Sequence, residues 1–178
     1  MRTGVAPPRP RPKAAGVRSP VRIQPAKIPE NMGEVAKLLV EYAESLNFGL
    51  CFQGFEEELS SLPGGYAPPR GQFLLARAGK AVAGGVGLTP LEDDICEMKR
   101  LYVRPAFHGR RIGRLLAESI IAEAREIGYR RMRLDTIERT MGAAIALYRS
   151  LGFIAIPAYY HNPDPRVIFF ELEPRPAA

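Results

Sequence analysis

The sequence predicts a single α/β domain with a mixed, mainly antiparallel central sheet flanked by helices on both faces. The chain has 178 residues, of which 46% are hydrophobic, and this is enough for one ordinary core. Its apolar segments alternate between strand and helix periods in the order β-α-α-β-β-β-α-β-α-β-β. Short turns join a meander of strands, and one long helix then provides a crossover to a further strand, so a mixed sheet follows.

The amino-terminal half predicts a strand, two helices and the three-stranded meander. Residues 21–23 form the first strand, which is closed off by Pro25. Asn31, followed three residues later by Glu34, has the form of a capping box for a helix that reaches Leu46. The other elements of this half are a helix at 55–59 and strands at 72–78, 81–88 and 95–103.

The carboxyl-terminal half predicts two helices that alternate with three strands. The helix at 112–127 is ended by Gly128 in the usual C-terminal position. Thr140 caps a second helix that extends to Leu151. One apolar stripe on the first helix contains Ile112, Leu116, Ile120, Ala124 and Ile127. Strands are predicted at 131–136, 153–156 and 167–172.

Most of the net charge of +6 lies at the start of the chain. Residues 1–20 contain five Lys or Arg and no acid, which leaves residues 21–178 with a net charge of +1. A nearly neutral domain gives no indication of nucleic-acid binding. The Pro-, Ala- and Arg-rich composition of residues 1–20 predicts a disordered basic tail, in preference to a weak contact with nucleic acid or membrane. The folded domain is therefore predicted at 21–178.

Hydropathy indicates no membrane segment. The sequence has no apolar run near the roughly 18 residues that cross a bilayer. Residues 1–16 also lack the apolar stretch of a secretory signal. We therefore expect a cytoplasmic protein that binds neither membrane nor nucleic acid.

The cysteines and the strand glycines predict structural roles. Cys51 and Cys96 form no Cys-x-x-Cys pair, and the chain has only two histidines, so no metal site is expected. Cys96 lies in an apolar strand and is expected in the core. The Gly-Gly-Val-Gly run at 84–87 lies inside a predicted strand and indicates a β-bulge.

The most informative segment joins the strand at 95–103 to the helix at 112–127. Residues 104–114 read Arg-Pro-Ala-Phe-His-Gly-Arg-Arg-Ile-Gly-Arg. The first N–H groups of a helix have no partner inside the helix and carry partial positive charge, so a pyrophosphate fits there. Gly109 and Gly113 let the backbone approach closely. A solvated basic turn is the alternative. Positive charge for phosphate oxygens would come from Arg104, Arg110, Arg111 and Arg114.

This segment closely resembles motif A of the GCN5-related N-acetyltransferase (GNAT) family. In that motif Gln/Arg-x-x-Gly-x-Gly/Ala follows a strand that ends in Leu-x-Val-x-Pro. Residues 144–153, Ala-Ile-Ala-Leu-Tyr-Arg-Ser-Leu-Gly-Phe, resemble a second family pattern, Ala-x-x-Leu-Tyr-x-x-x-Gly-Phe. The resemblance covers about residues 21–173 and implies the GNAT acyl-CoA N-acyltransferase fold.

Three positions depart from the family pattern. His108 stands where Gln or Arg is usual, and Arg111 replaces the first signature glycine. We expect the phosphate cradle to be kept if Arg111 has a negative φ. Met141 takes the place of an Asn that many members have before the last helix, which removes one side-chain contact to the cofactor or acceptor.

The resemblance implies acetyl-CoA as the co-substrate. The backbone of Leu101 and Val103 would pair with the pantetheine arm, and the Leu101 N–H would polarise the thioester carbonyl. The sheet is expected to open between the strands at 95–103 and 131–136. The residues implied in cofactor binding are Leu101, Tyr102, Val103, His108, Gly109, Arg110, Arg111, Ile112, Gly113 and Arg114.

Two residues are candidates for catalysis. Glu97 is an acid in an apolar strand, where the family often has a general base; an ion pair with a nearby Lys or Arg is the alternative. Tyr148 would donate to the departing CoA thiolate; a core aromatic is the alternative. His161 could line the acceptor pocket, and Glu138 is a weaker candidate base. The acids at 56–58 are expected on a solvated helix face.

The resemblance implies direct transfer of acetyl from acetyl-CoA to a primary amine of a small molecule, in a ternary complex. No cysteine is placed to act as a nucleophile. A protein lysine or N-terminal acetyltransferase remains an alternative, as does a CoA-binding regulatory module without turnover. A homodimer is left open.

Overall fold

The computed structural model describes residues 19–46, 54–137 and 142–174. Residues 1–18 of the predicted tail lie outside them, as do Cys51, Glu138, Thr140 and Met141. The helices are α1 (Met32–Ser45), α2 (Phe55–Ser60), α3 (Ile112–Ile127) and α4 (Gly142–Ser150). The strands are β1 (Val21–Pro25), β2 (Gln72–Ala78), β3 (Ala81–Pro90), β4 (Ile95–Val103), β5 (Arg131–Ile137), β6 (Ile154–Ile156) and β7 (Val167–Leu172). No helix within the described ranges is both long and apolar enough to cross a bilayer.

The described strands form one seven-stranded sheet in the order β1-β2-β3-β4-β5-β7-β6. Only β4 and β5 pair in parallel, and α3 makes the crossover between them. The other neighbouring strands are antiparallel. The predicted mixed, mainly antiparallel sheet is therefore confirmed. β1 extends through Pro25 because an edge strand tolerates the missing N–H.

Helices cover both faces of the sheet, as predicted. On one face, α3 buries four residues of its predicted stripe, Ile112, Leu116, Ile120 and Ala124, in a core shared with β2, β3 and β4. Cys96 is fully buried in this core, and burial raises the pKa of its thiol to about 12. On the other face, Val35, Leu38 and Leu39 of α1 pack with Phe73 and Leu75 of β2. Alternate residues of β2 thus supply the two cores.

The predicted capping box at the start of α1 is wrong. Asn31 occupies the N-cap position, but its side chain bonds no N–H of the helix. Its Oδ1 accepts a hydrogen bond from the Lys27 N–H at 2.9 Å, and its Nδ2 donates to Glu34 Oε2 at 2.9 Å. Glu34 also forms an ion pair with Arg77 of β2. The two side chains therefore fasten the loop before α1 and the helix itself to the sheet.

A β-bulge interrupts the pairing of β3 with β4, where the glycine run predicted one. Gly85 pairs with Tyr102 and Gly87 with Lys99, so two residues of β4 face only one of β3. The extra residue lies on β4, where Arg100 has a φ of +58°. A Cβ on Gly87 would lie 2.2 Å from the Tyr66 ring, which explains why this position has no side chain.

The sheet opens between β4 and β5. Their pairing is limited to Ile95–Glu97 with Arg131–Arg133, although both strands continue further. Beyond Glu97 and Arg133 the strands diverge, and residues 98–103 and 134–137 border the opening. The opening expected from the family resemblance is confirmed.

Candidate active site

One edge of β4 presents backbone groups to the opening. The Arg104 N–H donates to the Ala83 carbonyl oxygen at 2.9 Å, toward β3. Because N–H groups alternate between the two edges of a strand, the Tyr102 N–H also faces β3, whereas those of Leu101 and Val103 face the opening. The two donors expected to bind pantetheine are therefore directed into the gap between β4 and β5.

The loop before α3 has a backbone shape suited to an anion. Gly109 has a φ of +74° and Arg111, the N-cap residue of α3, a φ of +58°. The condition set for keeping the cradle, a negative φ at Arg111, is not met, because this residue takes the left-handed conformation that the glycine of the family motif can adopt. An L-residue pays about 1–2 kcal/mol for this conformation. A left-handed residue followed by the helical Ile112 forms a concave group of N–H donors, the geometry of an anion-binding nest.

Two of the loop side chains are bound to backbone in this structure. The His108 Nε2 lies 2.8 Å from the Val103 carbonyl oxygen, and since a carbonyl can only accept, the Nε2 carries the proton. The Arg110 guanidinium donates to the Ser19 carbonyl at 2.7 Å, just before β1. The His108 imidazole and the Arg110 guanidinium are thus bound to backbone carbonyl oxygens in this structure.

The other cations near the loop differ in their availability. Arg104 forms a two-pronged ion pair with Glu41 of α1, at 2.7 and 2.8 Å, and so points away from the loop. Arg114 binds Glu118 at 3.1 Å on the surface of α3. Arg111 is exposed. Of these cations, Arg111 is the most accessible to a bound phosphate.

Gly113 leaves space at the first turn of α3. A Cβ there would be 3.8 Å from Val103 Cγ2 and 4.0 Å from Leu147 Cδ2, which are ordinary contacts. The protein fold does not itself require glycine at this position. Together with the nest before α3, this open backbone fits a pyrophosphate group at the end of the cleft.

Glu97 lies on the face of the sheet that is opposite to α3. It is only 7% exposed, and its carboxylate accepts a hydrogen bond from the Tyr159 hydroxyl at 2.7 Å. It also forms an ion pair with Lys99 at 3.2 Å, so the alternative considered for this residue is present in the structure. The Lys99 side chain is 29% exposed and that of Glu97 is 9% exposed, so Glu97 is the more buried member of the pair.

Asp135 is a second carboxylate on this face that sequence reasoning missed. Glu97 pairs with Arg133 across the strands, and Asp135 lies two residues further along β5 on the same side. It accepts a hydrogen bond from the Tyr160 hydroxyl at 3.1 Å. Burial and then the charge of Glu97 raise the pKa of Asp135. The signal was in the sequence, because a polar residue that alternates with buried Met132 and Leu134 must face the other way.

Tyr148 is a core aromatic, which is the alternative considered for this residue. Its ring lies 5.8 Å from that of Phe153 and 6.5 Å from that of Phe170, and the residue is 7% exposed. Its hydroxyl makes no hydrogen bond with another residue of the described ranges. Burial raises the pKa of Tyr148, with smaller contributions from Tyr42 and Asp135. The phenol therefore stays neutral and can donate at physiological pH.

A buried ion pair connects the β4 bulge to α2. The Arg100 guanidinium binds the Glu58 carboxylate at 2.5 Å, and the two side chains are 4% and 16% exposed. Burial disfavours ionisation of Glu58, but the hydrogen bonds and charge of Arg100 outweigh it and lower the pKa of Glu58. Glu56 and Glu57 are exposed as predicted, whereas the prediction of a solvated Glu58 is wrong. The Tyr66 hydroxyl also donates to Glu58.

Aromatic side chains of the loop between β6 and β7 border the two carboxylates. The rings of Tyr159, Tyr160 and Phe169 lie 5.1–5.4 Å apart in edge-to-face contacts. Phe169 pairs with Asp135 in the sheet register. His161 of the same loop is exposed. The loop therefore places Tyr159 and Tyr160, rather than His161, beside Glu97 and Asp135.

Comparison with known proteins identifies the family. The model of the acetyltransferase (GNAT) family matches residues 35–153. The chain belongs to the GNAT family of acetyltransferases. It is 39% identical to an uncharacterized N-acetyltransferase of Schizosaccharomyces pombe over 87% of this chain and 96% of that one. It is 31% identical to an uncharacterized N-acetyltransferase of Dictyostelium discoideum, over 79% and 93% of the two chains.

Solved structures share the GNAT fold at lower identity. A GNAT acetyltransferase of Staphylococcus aureus matches 88% of this chain and 100% of its own, with a TM-score of 0.70 and 19% identity. The structure of yncA from Salmonella typhimurium with its cofactor acetyl-CoA matches 90% of this chain and 97% of its own, with a TM-score of 0.65 and 19% identity. The predicted family, fold class and GNAT-type acetyltransferase activity are confirmed.

In this GNAT protein the predicted site residues lie in three places around the opening between β4 and β5. The edge of β4 and the start of α3 line one end, and Glu97 lies on the face of β4 opposite to α3. Tyr148 of α4 packs with Phe153 and Phe170 in the core that α3 also joins. Sequence reasoning missed Asp135, Tyr159 and the Arg100–Glu58 pair.

Proposed function

We propose that this protein transfers an acetyl group from acetyl-CoA to the primary amine of a small molecule in a ternary complex. The observation that carries the proposal is the opening between β4 and β5, with the Leu101 and Val103 N–H groups facing it and a nest before α3 at its end. A pantetheine arm would bind this edge as an added strand does, and residues 108–114 would hold the pyrophosphate. Acetyl-CoA would supply the activated acyl group.

The protein groups would remove protons from the acceptor nitrogen, stabilise the negative charge that develops on the thioester oxygen, and protonate the departing CoA sulfur. An alkyl ammonium with a pKa near 10.4 is neutral in only about one molecule in 10³–10⁴ at pH 7, so a base is needed. Glu97 would receive this proton, either directly or through water. The Leu101 N–H would stabilise the negative charge that develops on the carbonyl oxygen. As the C–N bond forms and the C–S bond breaks, the Tyr148 hydroxyl would give its proton to the leaving sulfur. The nitrogen would lose its second proton in the same step, and this proton would restore the phenol through solvent.

A small acceptor is supported by the two elements, α2 and the β6–β7 loop, that border Glu97 and are fixed to the sheet. The Arg100–Glu58 pair fixes α2 on one side, and the hydrogen bond from Tyr159 to Glu97 fixes the β6–β7 loop on the other. Lys99, which binds Glu97, also lines a pocket of about 300 Å³ with residues of α2, among them Glu57 and Glu58. Elements held in place on both sides of Glu97 favour a compact amine over a polypeptide as the acceptor.

The test follows release of free CoA from acetyl-CoA with a thiol reagent. The acceptors are a panel of small primary amines and amino acids, compared with peptides that carry a lysine or a free N-terminus. We expect amine-dependent release with at least one small molecule. Faster release with the peptides would favour a protein acetyltransferase. Binding of acetyl-CoA without release in any mixture would contradict the proposal and favour a regulatory module.

A further inference from the structure

Among the residues that the structure describes, Lys99, Arg100 and Arg133 on the acceptor side of the sheet each have a carboxylate partner. Lys99 binds Glu97 at 3.2 Å, and Arg100 binds Glu58. Arg133 contacts two acids, Glu171 at 2.7 Å and Glu92 at 3.3 Å. A substrate carboxylate on this face would therefore have to displace an existing partner before it could form an ion pair.

Asp135 differs from these acids because no cation of the described residues lies within ion-pair distance of it. Its hydrogen-bond partner is the neutral hydroxyl of Tyr160, whose pKa is raised by burial first and then by the charge of Asp135. Asp135 is half-buried, and a carboxylate taken out of water without a cation is costly. A bound cation would remove this cost.

The position of Asp135 matches the place where an acceptor amine must approach. The pairing of β4 with β5 ends at Glu97 and Arg133, and Asp135 is two residues beyond, where the strands have diverged. Its neighbours on the sheet face are Phe169, which pairs with it, and Arg133, which precedes it by two residues and pairs with Glu97. Asp135 thus lies at the mouth of the proposed thioester cleft, on the side of the proposed base.

We propose that Asp135 binds the ammonium group of the acceptor, and that the acceptor is a primary amine on an apolar or aromatic body with no carboxylate beside the amine. This rests on the proposed function. The preference for an amine without a neighbouring carboxylate follows from the charges at the site and from its aromatic rings. A carboxylate next to the amine would be repelled by Asp135 and Glu97, while every nearby cation among the described residues is already paired. The Tyr160 ring favours a cation and an apolar body beside it, whereas the Tyr159 ring already faces the Arg133 guanidinium at 5.1 Å.

The test measures binding by calorimetry with three probes of the same shape. 2-Phenylethylamine carries the ammonium, L-phenylalanine adds the carboxylate, and 2-phenylethanol replaces the ammonium by a neutral hydroxyl. The proteins are the wild type, Asp135→Asn and, as a matched control, Asp94→Asn, which removes an exposed acid paired with Arg131 at the other end of the parallel pairing.

We expect the wild type to bind 2-phenylethylamine at least tenfold more tightly than either other probe. Asp135→Asn should lose at least tenfold affinity for 2-phenylethylamine and keep its affinity for acetyl-CoA within twofold. Asp94→Asn should change neither. Because the probes vary the charge on the ligand, the wild-type series tests the idea even if one variant folds poorly. Equal binding of phenylalanine, unchanged binding by Asp135→Asn, or no binding of 2-phenylethylamine would overturn the inference.

Turnover measured in parallel separates this inference from the proposed function. Release of CoA with amines that does not depend on Asp135 would overturn the role of Asp135 and leave acetyl transfer intact. Binding of 2-phenylethylamine that depends on Asp135, without acetyl transfer to any amine, would instead contradict the proposed function and support the ammonium site.

Discussion

Replacing Glu58 by alanine tests whether the Arg100–Glu58 ion pair holds α2 on the sheet. Arg100 is 4% and Glu58 16% exposed, so the variant would leave a guanidinium buried without its principal partner. Removing one member of a buried pair costs about 3–5 kcal/mol, and the Tyr66 hydroxyl would lose its acceptor as well. We therefore expect the free energy of unfolding to fall by about 3 kcal/mol or more.

The matched control is Glu41→Ala. Glu41 binds Arg104 with a similar two-pronged geometry, but the side chains are 35% and 28% exposed. Solvent screens such a pair, so its loss should cost about 0–1 kcal/mol. Urea unfolding of both variants, followed by circular dichroism at pH 7, gives the comparison. Equal losses below about 1 kcal/mol would refute the argument that the buried pair fixes α2.

The same pair predicts a pH dependence. The folded-state pKa of Glu58 is lowered from its ordinary value of 4.5, so the unfolded state binds more protons in that range. The stability that Glu58 contributes is therefore present above pH 4.5 and lost as the pH falls through the folded-state pKa. The difference between wild type and Glu58→Ala should be constant at pH 6–8 and decrease below pH 4.5. A difference that grows on acidification would contradict this assignment.

Three further predictions concern the cleft. Tyr148→Phe should keep the melting temperature and acetyl-CoA affinity but lower kcat by about 10²-fold, and a kcat within twofold of wild type would show that the hydroxyl is not the donor. Gly113→Ala should raise the free energy of unfolding by about 0.5 kcal/mol, because the new Cβ would meet only ordinary contacts. The affinity for CoA, measured by calorimetry, should fall tenfold or more. An unchanged affinity would show that the phosphates bind elsewhere. The folded-state pKa of Asp135 is raised, so its stabilising contribution is present below the unfolded-state pKa and is lost as the pH rises through the folded-state pKa. Asp135→Asn should therefore melt at a higher temperature than wild type at pH 8 but not at pH 3. A lower melting temperature for Asp135→Asn at pH 8 would contradict the assigned shift.

Local patterns made the fold predictable and indicated the loop before α3 as a candidate phosphate site. The stripe on α3 is set by helical spacing alone, and the structure buries four of its five members. The loop before α3 was identified because an unpartnered helix start, glycines and arginines follow one another in the sequence. The conformation of Arg111 was not predicted, since nothing in the residue type signals a φ of +58° at a position that favours glycine, and the pairing of Arg104 with Glu41 of α1 was not predicted either.

Long-range partners made the acceptor side harder to predict. Glu58 lies among three consecutive acids on a short helix, and this pattern is typical of a solvated surface. Its partner Arg100 is 42 positions away and reaches it from a bulge whose effect on side-chain direction the sequence does not show. Asp135 was missed for a related reason, because its importance depends on where β4 and β5 part and on which cations already have partners.

The bulge at Arg100 links the two halves of the site. Thr89, Gly87 and Gly85 pair in turn with Glu97, Lys99 and Tyr102, so these three residues of β4 share one face although they are not evenly spaced. Without the extra residue Leu101 would take the place of Tyr102. With it, Tyr102 packs beside α1, while the side chains of Leu101 and Val103 join the α3 core. Arg100 therefore has two roles: as the bulge residue it sets which way the Leu101 N–H points, and its guanidinium holds α2. A change in α2 should for this reason affect acetyl transfer as well as acceptor binding.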